Sequence, residues 1–306
     1  MDSFSDLAFF RLLLQQGTLA ATAQAMGVTP PSVSKRLAAL EARLGVRLLQ
    51  RSTRRIHLTP EGELYLAEGR RLLDQMDELE RRVAGTRAQP QGLIRMAATL
   101  GFGRRHIAPA LSRFARAHPA VEVQLTLTDK PVNLLEDGFD LAVRLDELPD
   151  ARLSARLLAH NRRLLCASPA YLRRAGTPTL PRELATHDCI VLRENEDLHG
   201  QWLLRKGSQR ASVKVHGPLS GNDGDCALQW ALDGHGILMR SEWDAAPYLR
   251  SGRLRELLPD WQLPPADVHL VFPTREHLPA RTRALIEWLA SGLERHRVGG
   301  PGAAGW

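Results

Sequence analysis

The residues best placed to do chemistry in the first part of the chain are hydroxyls and cations gathered in LAATAQAMGVTPPSVSKRLAAL, residues 19–40. Thr29, Pro30, Pro31, Ser32, Ser34, Lys35 and Arg36 follow a turn at Gly27. Short hydroxyls and positive side chains on one helical face suit a phosphate backbone and the hydrogen-bonding edges of bases. Arg51, Arg54 and Arg55 come next in LLQRSTRRIHLTPEG, where guanidinium groups in a turn are matched to phosphates. The predicted chemistry is recognition of double-stranded DNA, in which no bond is made or broken.

Those side chains need a scaffold. Thr29 is expected to cap the following turn, and proline is tolerated at the first helical positions. Ala23 is small where two helices cross, Gly27 takes a positive φ, and Val28, Val33 and Leu37 form the apolar face of the second helix. This is a helix-turn-helix pattern. Leu7, Phe10 and Leu14 give a first helix ending near Gly17, which completes a three-helix core. Ile56 and Leu58 form a short β-like run, so the three arginines fall in a wing before a new helix start at Thr59-Pro60-Glu61. From Thr59 to about Gly85 the pattern is one long helix. Its Leu72, Met76, Leu79 and Val83 step by four, three and four, the rhythm of a coiled-coil seam, which predicts a homodimer. Two heads on one dimer predict a pseudo-palindromic operator. Residues 88–92, AQPQG, break every pattern and read as a linker.

Beyond residue 92 strands and helices alternate. LIRMAATL, VEVQLTLT, DLAVRL, RRLLCAS, CIVLRE, SVKVHGPLSG, GILMRS and VHLVFP read as strands. GRRHIAPALSRFARAHP, VNLLEDG, ALQWALDGHG and ARTRALIEWLASGLERH read as helices. The succession predicts parallel sheets with helices on both faces, in two α/β lobes between which the chain crosses near residues 161 and 267. Ligands in such sheets sit beyond the carboxyl ends of strands. Thr99-Leu100-Gly101-Phe102-Gly103 and Ser220-Gly221-Asn222-Asp223-Gly224 each lead into a helix, so exposed amides and the positive end of a dipole favour an anion. Arg144, Arg104 or Arg193 would supply a charge-assisted pair, and a small carboxylate is the predicted effector.

Composition bounds the function. The 306 residues are 43% apolar, enough for two or three domains with sizeable cores. Residues 1–60 hold eight Lys and Arg against Asp2, Asp6 and Glu41, which concentrates most of the net charge of +7 in the shortest segment, as a nucleic-acid footprint would. Cys166, Cys189 and Cys226 suggest neither a disulfide framework nor a zinc site and are expected to be small buried hydrophobes. No apolar run nears the roughly 20 residues of a membrane helix, and no signal peptide opens the chain, so no membrane partner and a cytoplasmic location are expected. There is no Gly-x-Ser-x-Gly elbow, no phosphate loop and no His-Glu-x-x-His. Gly101-Phe102-Gly103 is followed by Arg-Arg-His, so the dinucleotide fingerprint fails at its third glycine. No catalytic residue, metal or cofactor is therefore expected.

The first 90 residues resemble a LysR-type transcriptional regulator. The wing pattern of that family, LxxRxxRxxxLTxxG, is matched by Leu48, Arg51, Arg54, Leu58, Thr59 and Gly62. Where family members commonly carry a base-reading glutamine this chain has Pro30, which leaves readout to Ser32, Ser34, Lys35 and Arg36. The remainder is similar, in GFGRRHIAPA, FDLAVRLDELPD, CASPAYL, HDCIV, LQWALDGHGI and RSEWD, to the activators of tartrate and malate utilisation. The resemblance implies an α/β fold class with an all-α winged helix-turn-helix head, a long linker helix and a two-lobed, periplasmic-binding-protein-like effector domain. Domain boundaries follow: 1–60 for DNA binding, 61–91 for linker and dimerisation, and 92–297 for the effector domain. Within the last, lobe 1 is about 92–161 and 267–297 and lobe 2 about 162–266, with a disordered tail at 298–306. It further implies that Thr99, Leu100, Gly101, Phe102, Thr128, Asp129, Arg144, Arg193, Asn222 and Asp223 line an effector cleft. Dimers would pair into a homotetramer, and lobe closure would alter DNA bending and contact with RNA polymerase. An autorepressor with a different effector, or none, is the alternative.

Overall fold

The computed structural model describes residues 3–50, 57–83, 89–134, 137–145, 153–193, 200–274, 278–297 and 306. The chain divides into an N-terminal unit, mainly Met1–Gln89, and a C-terminal unit, Pro90–Leu134 with Phe139–Trp306, described separately below.

In the first unit, α1 (Ser3–Gln16), α2 (Leu19–Met26) and α3 (Pro30–Leu44) close over Phe9, Phe10, Leu13, Ala23, Val33, Leu40 and Leu48. Thr18 caps α2 by accepting from the Ala21 amide at 3.1 Å. Gly27 ends it at φ 65°, a left-handed conformation that glycine adopts without a Cβ clash. Thr29 sits at the N-cap of α3 but caps no amide; its hydroxyl meets Ser32 Oγ at 2.9 Å. Pro30 and Pro31 lack N–H groups that the Thr29 hydroxyl could accept from.

After α3, Glu41 organises the reversal. One carboxylate oxygen accepts from the Leu48 and Leu49 amides at 2.8 and 3.2 Å, and the other pairs with Arg47 at 2.8 Å. Leu49 then bridges antiparallel to Leu58, the base of the predicted wing; Ile56 lies outside the described residues. The long helix α4 (Pro60–Val83) starts where Thr59 Oγ1 donates to the Arg47 carbonyl at 2.6 Å and accepts from the Gly62 amide at 3.0 Å. One face of α4 packs on α1: Tyr65 meets Phe10 edge-on and Leu73 is buried. Leu64, Leu72, Met76 and Leu79 are exposed, and the Val83 side chain lies outside the described residues.

The second unit holds two five-stranded sheets. Lobe 1 has the order β2-β1-β3-β12-β4, from β1 (Gly92–Ala98), β2 (Val121–Leu127), β3 (Leu141–Arg144), β4 (Leu153–Ala159) and β12 (Val268–Pro273). Lobe 2 has the order β11-β5-β10-β6-β9, from β5 (Arg163–Ala167), β6 (Cys189–Leu192), β9 (Ser220–Gly221), β10 (Ile237–Ser241) and β11 (Arg255–Leu257). A ribbon of β7 (Gln201–Lys206) and β8 (Gln209–Lys214) covers part of lobe 2. The sheets are mixed rather than parallel, because β12 runs antiparallel to β3 and β4, and β10 and β11 antiparallel to β5. A chain that returns to lobe 1 only with β12 inserts that strand against the run of the earlier ones.

From β1 the backbone enters α5 (Leu100–Phe102), passes through a π-helical turn at Gly103–Ile107 and continues as α6 (Ala108–Ala117). The remaining helices are α7 (Pro169–Ala175), α8 (Gly224–Leu232), α9 (Glu242–Arg250), α10 (Ala280–Gly292) and α11 (Glu294–Arg297). The expected helix in VNLLEDG is irregular where described, although Leu134 is core. The two crossings between lobes are tied together. Asn161 donates from its amide to Asp267 and from its side chain to the Ala266 carbonyl, both at 2.9 Å.

Two further expectations change. Cys166 and Cys189 are buried, but Cys226 is exposed near the start of α8. Residues 298–305 lie outside the described residues, whereas Trp306 is packed: its ring stacks on His296 at 3.8 Å and its Nε1 donates to the His160 carbonyl at 3.0 Å. Among the described residues no helix is long and apolar enough to cross a membrane, and no group of His, Cys, Asp and Glu is arranged to hold a metal.

A Cβ built on Gly62 would lie 2.1 Å from the Leu48 carbonyl oxygen. Backbone cannot yield as a side chain can, so Gly62→Ala is expected to destabilise the N-terminal unit by about 1–3 kcal/mol. Denaturant unfolding followed by circular dichroism measures this; an unchanged midpoint would contradict the close approach. Burial pushes the Cys166 and Cys189 thiols up to about 12. At pH 8 both stay protonated, so a thiol reagent should modify Cys226 alone in the native protein and all three cysteines after denaturation.

Candidate functional site

In the N-terminal unit the outer surface of α3 presents Pro30, Pro31, Ser32, Ser34 and Lys35 to solvent, with Thr29 exposed at its start. These are six of the predicted contact residues, on one continuous surface. Arg36 departs from the expectation. Its guanidinium turns onto α1, donating to the Ser5 carbonyl at 2.8 Å and hydroxyl at 2.6 Å, approaching Asp6 at 3.5 Å and lying over the Phe9 ring at 4.7 Å. Asp6 is 1% exposed, and a buried carboxylate recruits whatever cations reach it; Arg43 completes the set at 3.0 Å. Arg51, Arg54 and Arg55 lie outside the described residues.

The C-terminal unit contains a cavity of about 700 Å³ between its lobes. Four segments converge there: the β1–α5 junction, the loop after β2, the end of β3, and the loop joining β9 to α8. Thr99, Leu100, Gly101, Phe102, Thr128, Asp129, Arg144 and Asn222 line it as expected. Arg193 and Asp223 do not, and neither does Arg104. Arg193 is exposed, and its backbone amide is held by the Gly221 carbonyl at 2.7 Å. Asp223 is turned away as the N-cap of α8, accepting from the Asp225 and Cys226 amides at 2.9 and 3.0 Å. The two lobes touch across the cavity where Asn222 Nδ2 donates to Asp129 Oδ2.

Sequence reasoning missed Lys130, Arg163, Met239, Arg240 and Trp243, which also line the cavity. For Arg240 a signal existed. A cation in ILMRS, an otherwise apolar central strand, needs a partner, and Asp244 stands four residues on. Arg240 is 7% exposed and donates from Nε to Asp244 Oδ2 at 2.5 Å; Asp244 has no exposure at all.

A second set of ion pairs crosses the lobe boundary beside the cavity. Arg104, in the π-helical turn, pairs with Asp225 and, at 3.2 Å, with Asp223. Arg105 pairs with Asp244 and, at 3.2 Å, with Asp225. The hydrogen bonds to Asp225 and then Asp223 push the Arg104 guanidinium up. Burial alone would raise Asp223, but the Cys226 amide and Arg104 outweigh it and hold the carboxyl below its usual range.

Three comparisons describe what the chain is similar to. Residues 4–63 match the family described as bacterial regulatory helix-turn-helix protein, lysR family, and residues 87–294 match the LysR substrate binding domain. The HTH-type transcriptional activator TtdR of Escherichia coli (strain K12) is 39% identical over 297 residues, covering 97% of this chain and 95% of the relative. The HTH-type transcriptional regulator DmlR of the same strain is 38% identical over 292 residues, covering 95% of each. Among solved structures, CrgA, a LysR-type transcriptional regulator from Neisseria meningitidis, superposes with a TM-score of 0.59 at 28% identity, over 94% of this chain and 98% of that one.

The depressed Asp223 carboxyl has a testable consequence. A group whose folded pKa lies below its unfolded value adds stability above the unfolded value and loses it as pH falls through the folded one. Asp223→Asn keeps an N-cap but removes the Arg104 pair, so it should lower stability by about 0–1 kcal/mol at pH 7, as for partly exposed pairs. The difference from wild type should shrink as pH falls through the acid limb; thermal melts across that range would show a constant difference if the pairing contributed nothing.

Proposed function

The chain belongs to the LysR family of DNA-binding transcriptional regulators, whose members are not enzymes, and from that premise we propose that it activates transcription in response to a small hydroxycarboxylate held between its lobes. The observation that carries the effector reading is the charge of the cavity. Lys130, Arg144, Arg163 and Arg240 line it against Asp129 as the one acidic side chain among its described lining residues. A carboxylate meets the cations, and the Asp129 carboxylate and Thr128 hydroxyl offer acceptors to alcohol groups. Activation is supported by the likeness to TtdR, a transcriptional activator.

The DNA-contacting surface is assigned to Thr29, Pro30, Pro31, Ser32, Ser34 and Lys35 of α3, together with Arg51, Arg54 and Arg55. Dimerisation is assigned to the face of α4 that carries Leu72, Met76, Leu79 and Val83. Leu72, Met76 and Leu79 are exposed at heptad spacing, and pairing with a second such helix would bury them. The working assembly is a dimer, pairing to a tetramer, on a pseudo-palindromic operator in the cytoplasm. A ligand that binds one lobe arrangement more tightly shifts the equilibrium between arrangements, and with it the placement of the heads, DNA bending and contact with RNA polymerase.

Gel-shift titration on the gene's own upstream DNA against scrambled DNA, at two salt concentrations, tests this reading. Specific binding should weaken with salt. Lys35→Ala and Arg51→Ala should each lower affinity and reduce the salt slope by about 1 if they meet phosphate. Binding no tighter than to scrambled DNA, across a genomic fragment library as well, would overturn it. For the effector, titration calorimetry with L-tartrate and D-malate should give saturable heat; no heat and no melting shift from any hydroxy acid would remove that ligand class.

A further inference from the structure

We propose that Arg240 is the anion anchor of the cavity and that, through Asp244 and Arg105, it transmits occupancy to the contact between the lobes. The proposal rests on the effector reading above and deepens it. Arg240 is nine-tenths buried at the end of the central strand β10, where a cation is costly unless its donors are engaged. Its Nε is held by Asp244. That leaves the edge formed by Nη1 and Nη2, which has no acceptor among the described residues, facing a cavity that Arg240 lines. This edge is the bidentate fork that fits a carboxylate.

The surroundings are built around that fork. A Cβ on Gly224 would fall 2.1 Å from both Nη atoms, and one on Gly101 would fall 3.5 Å from Nη2. The first residue of α8 thus leaves the space in which the guanidinium lies, and the first turn of α5 is in ordinary contact with it. Trp243, 5.6 Å below Arg240, also lines the cavity, and its indole Nε1 is buried with no hydrogen-bond partner among the described residues.

Asp244 makes the anchor mechanical. Both of its oxygens are used, one by Arg240 and one by Arg105, and both guanidinium groups lie over the Trp243 ring, that of Arg105 at 5.8 Å. Arg240 and Asp244 belong to lobe 2, and Arg105 to the π-helical turn of lobe 1. A ligand that neutralises Arg240 weakens its attraction for Asp244 and leaves that carboxylate to Arg105. Occupancy therefore strengthens the inter-lobe pair. Arg105 does not line the cavity and acts as a positioning residue.

The experiment uses the full-length chain, with melting shifts and calorimetry against L-tartrate and inorganic sulfate, and gel shifts with and without ligand. Arg240→Gln should weaken anion binding by at least about ten-fold, as the loss of a charge-assisted pair does, and Arg240→Lys should restore part of it. Gly224→Ala, which removes no charge but displaces the guanidinium, should weaken binding as well and decides the matter if Arg240→Gln does not fold. Arg105→Gln should bind within about three-fold of wild type, having lost no ligand contact, yet lose the effect of ligand on the gel shift. Wild-type binding of tartrate that survives in both Arg240→Gln and Gly224→Ala would overturn the anchor and leave the effector reading standing. Binding of sulfate alone, lost in those variants, would support the anchor and end the carboxylate reading, and no binding of either anion would end both. A ligand response preserved in Arg105→Gln would overturn the coupling.

Discussion

A carboxylate with no exposure to solvent, Asp244, is the point on which the C-terminal unit turns. An isolated charge there would cost several kcal/mol, so the chain must bring cations to it. One comes from four residues earlier, across the junction of β10 and α9, and fixes where the helix departs from the strand. The other comes from the far lobe, and it sets how the π-helical turn must lie against α9 for the charge to be met. Phe102 is fully buried and meets Trp243 at 5.4 Å, so the apolar core of lobe 1 closes on the same point. The cavity lies beside this knot, where Gly224 makes room for Arg240.

The helix-turn-helix was legible because its signals are local. Gly27 adopts the expected positive φ and the apolar residues recur at helical spacing, while the expected cap, Thr29, makes no bond to an amide. None of this depends on distant partners. The α/β alternation was legible for the same reason, and so were the two glycine loops, since a strand, a turn and a helix start follow one another in sequence.

What failed in the reading depended on tertiary pairing. LSARLLA carries no clear alternation, yet it forms β4 because β12 offers an antiparallel edge at the rim of the lobe 1 sheet. VNLLEDG has helical composition, but Leu134 is buried by a loop whose carbonyl accepts from Phe139 at 3.1 Å, and the loop does not need a helix to satisfy it. Arg36 faces the predicted surface by spacing alone; the buried Asp6 on α1, 30 positions earlier in the chain, turns it inward. Arg240 was read as a strand residue because the group that explains it lies in the next element.

The charge count of the first 60 residues takes a different meaning once these pairs are known. Of the eight cations there, Arg36 and Arg43 serve Asp6, and Arg47 serves Glu41. These hold the fold of the head, and their charge is compensated within it. Lys35 is exposed on α3, and Arg51, Arg54 and Arg55 of the wing sequence lie outside the described residues. Net charge alone does not separate cations that hold the fold from one that stands on the exposed surface of α3. The same division orders the C-terminal unit: Arg104 and Arg105 are neutralised by aspartates at the lobe boundary, while Arg144 and Lys130 line the cavity with no side-chain acceptor among the described residues.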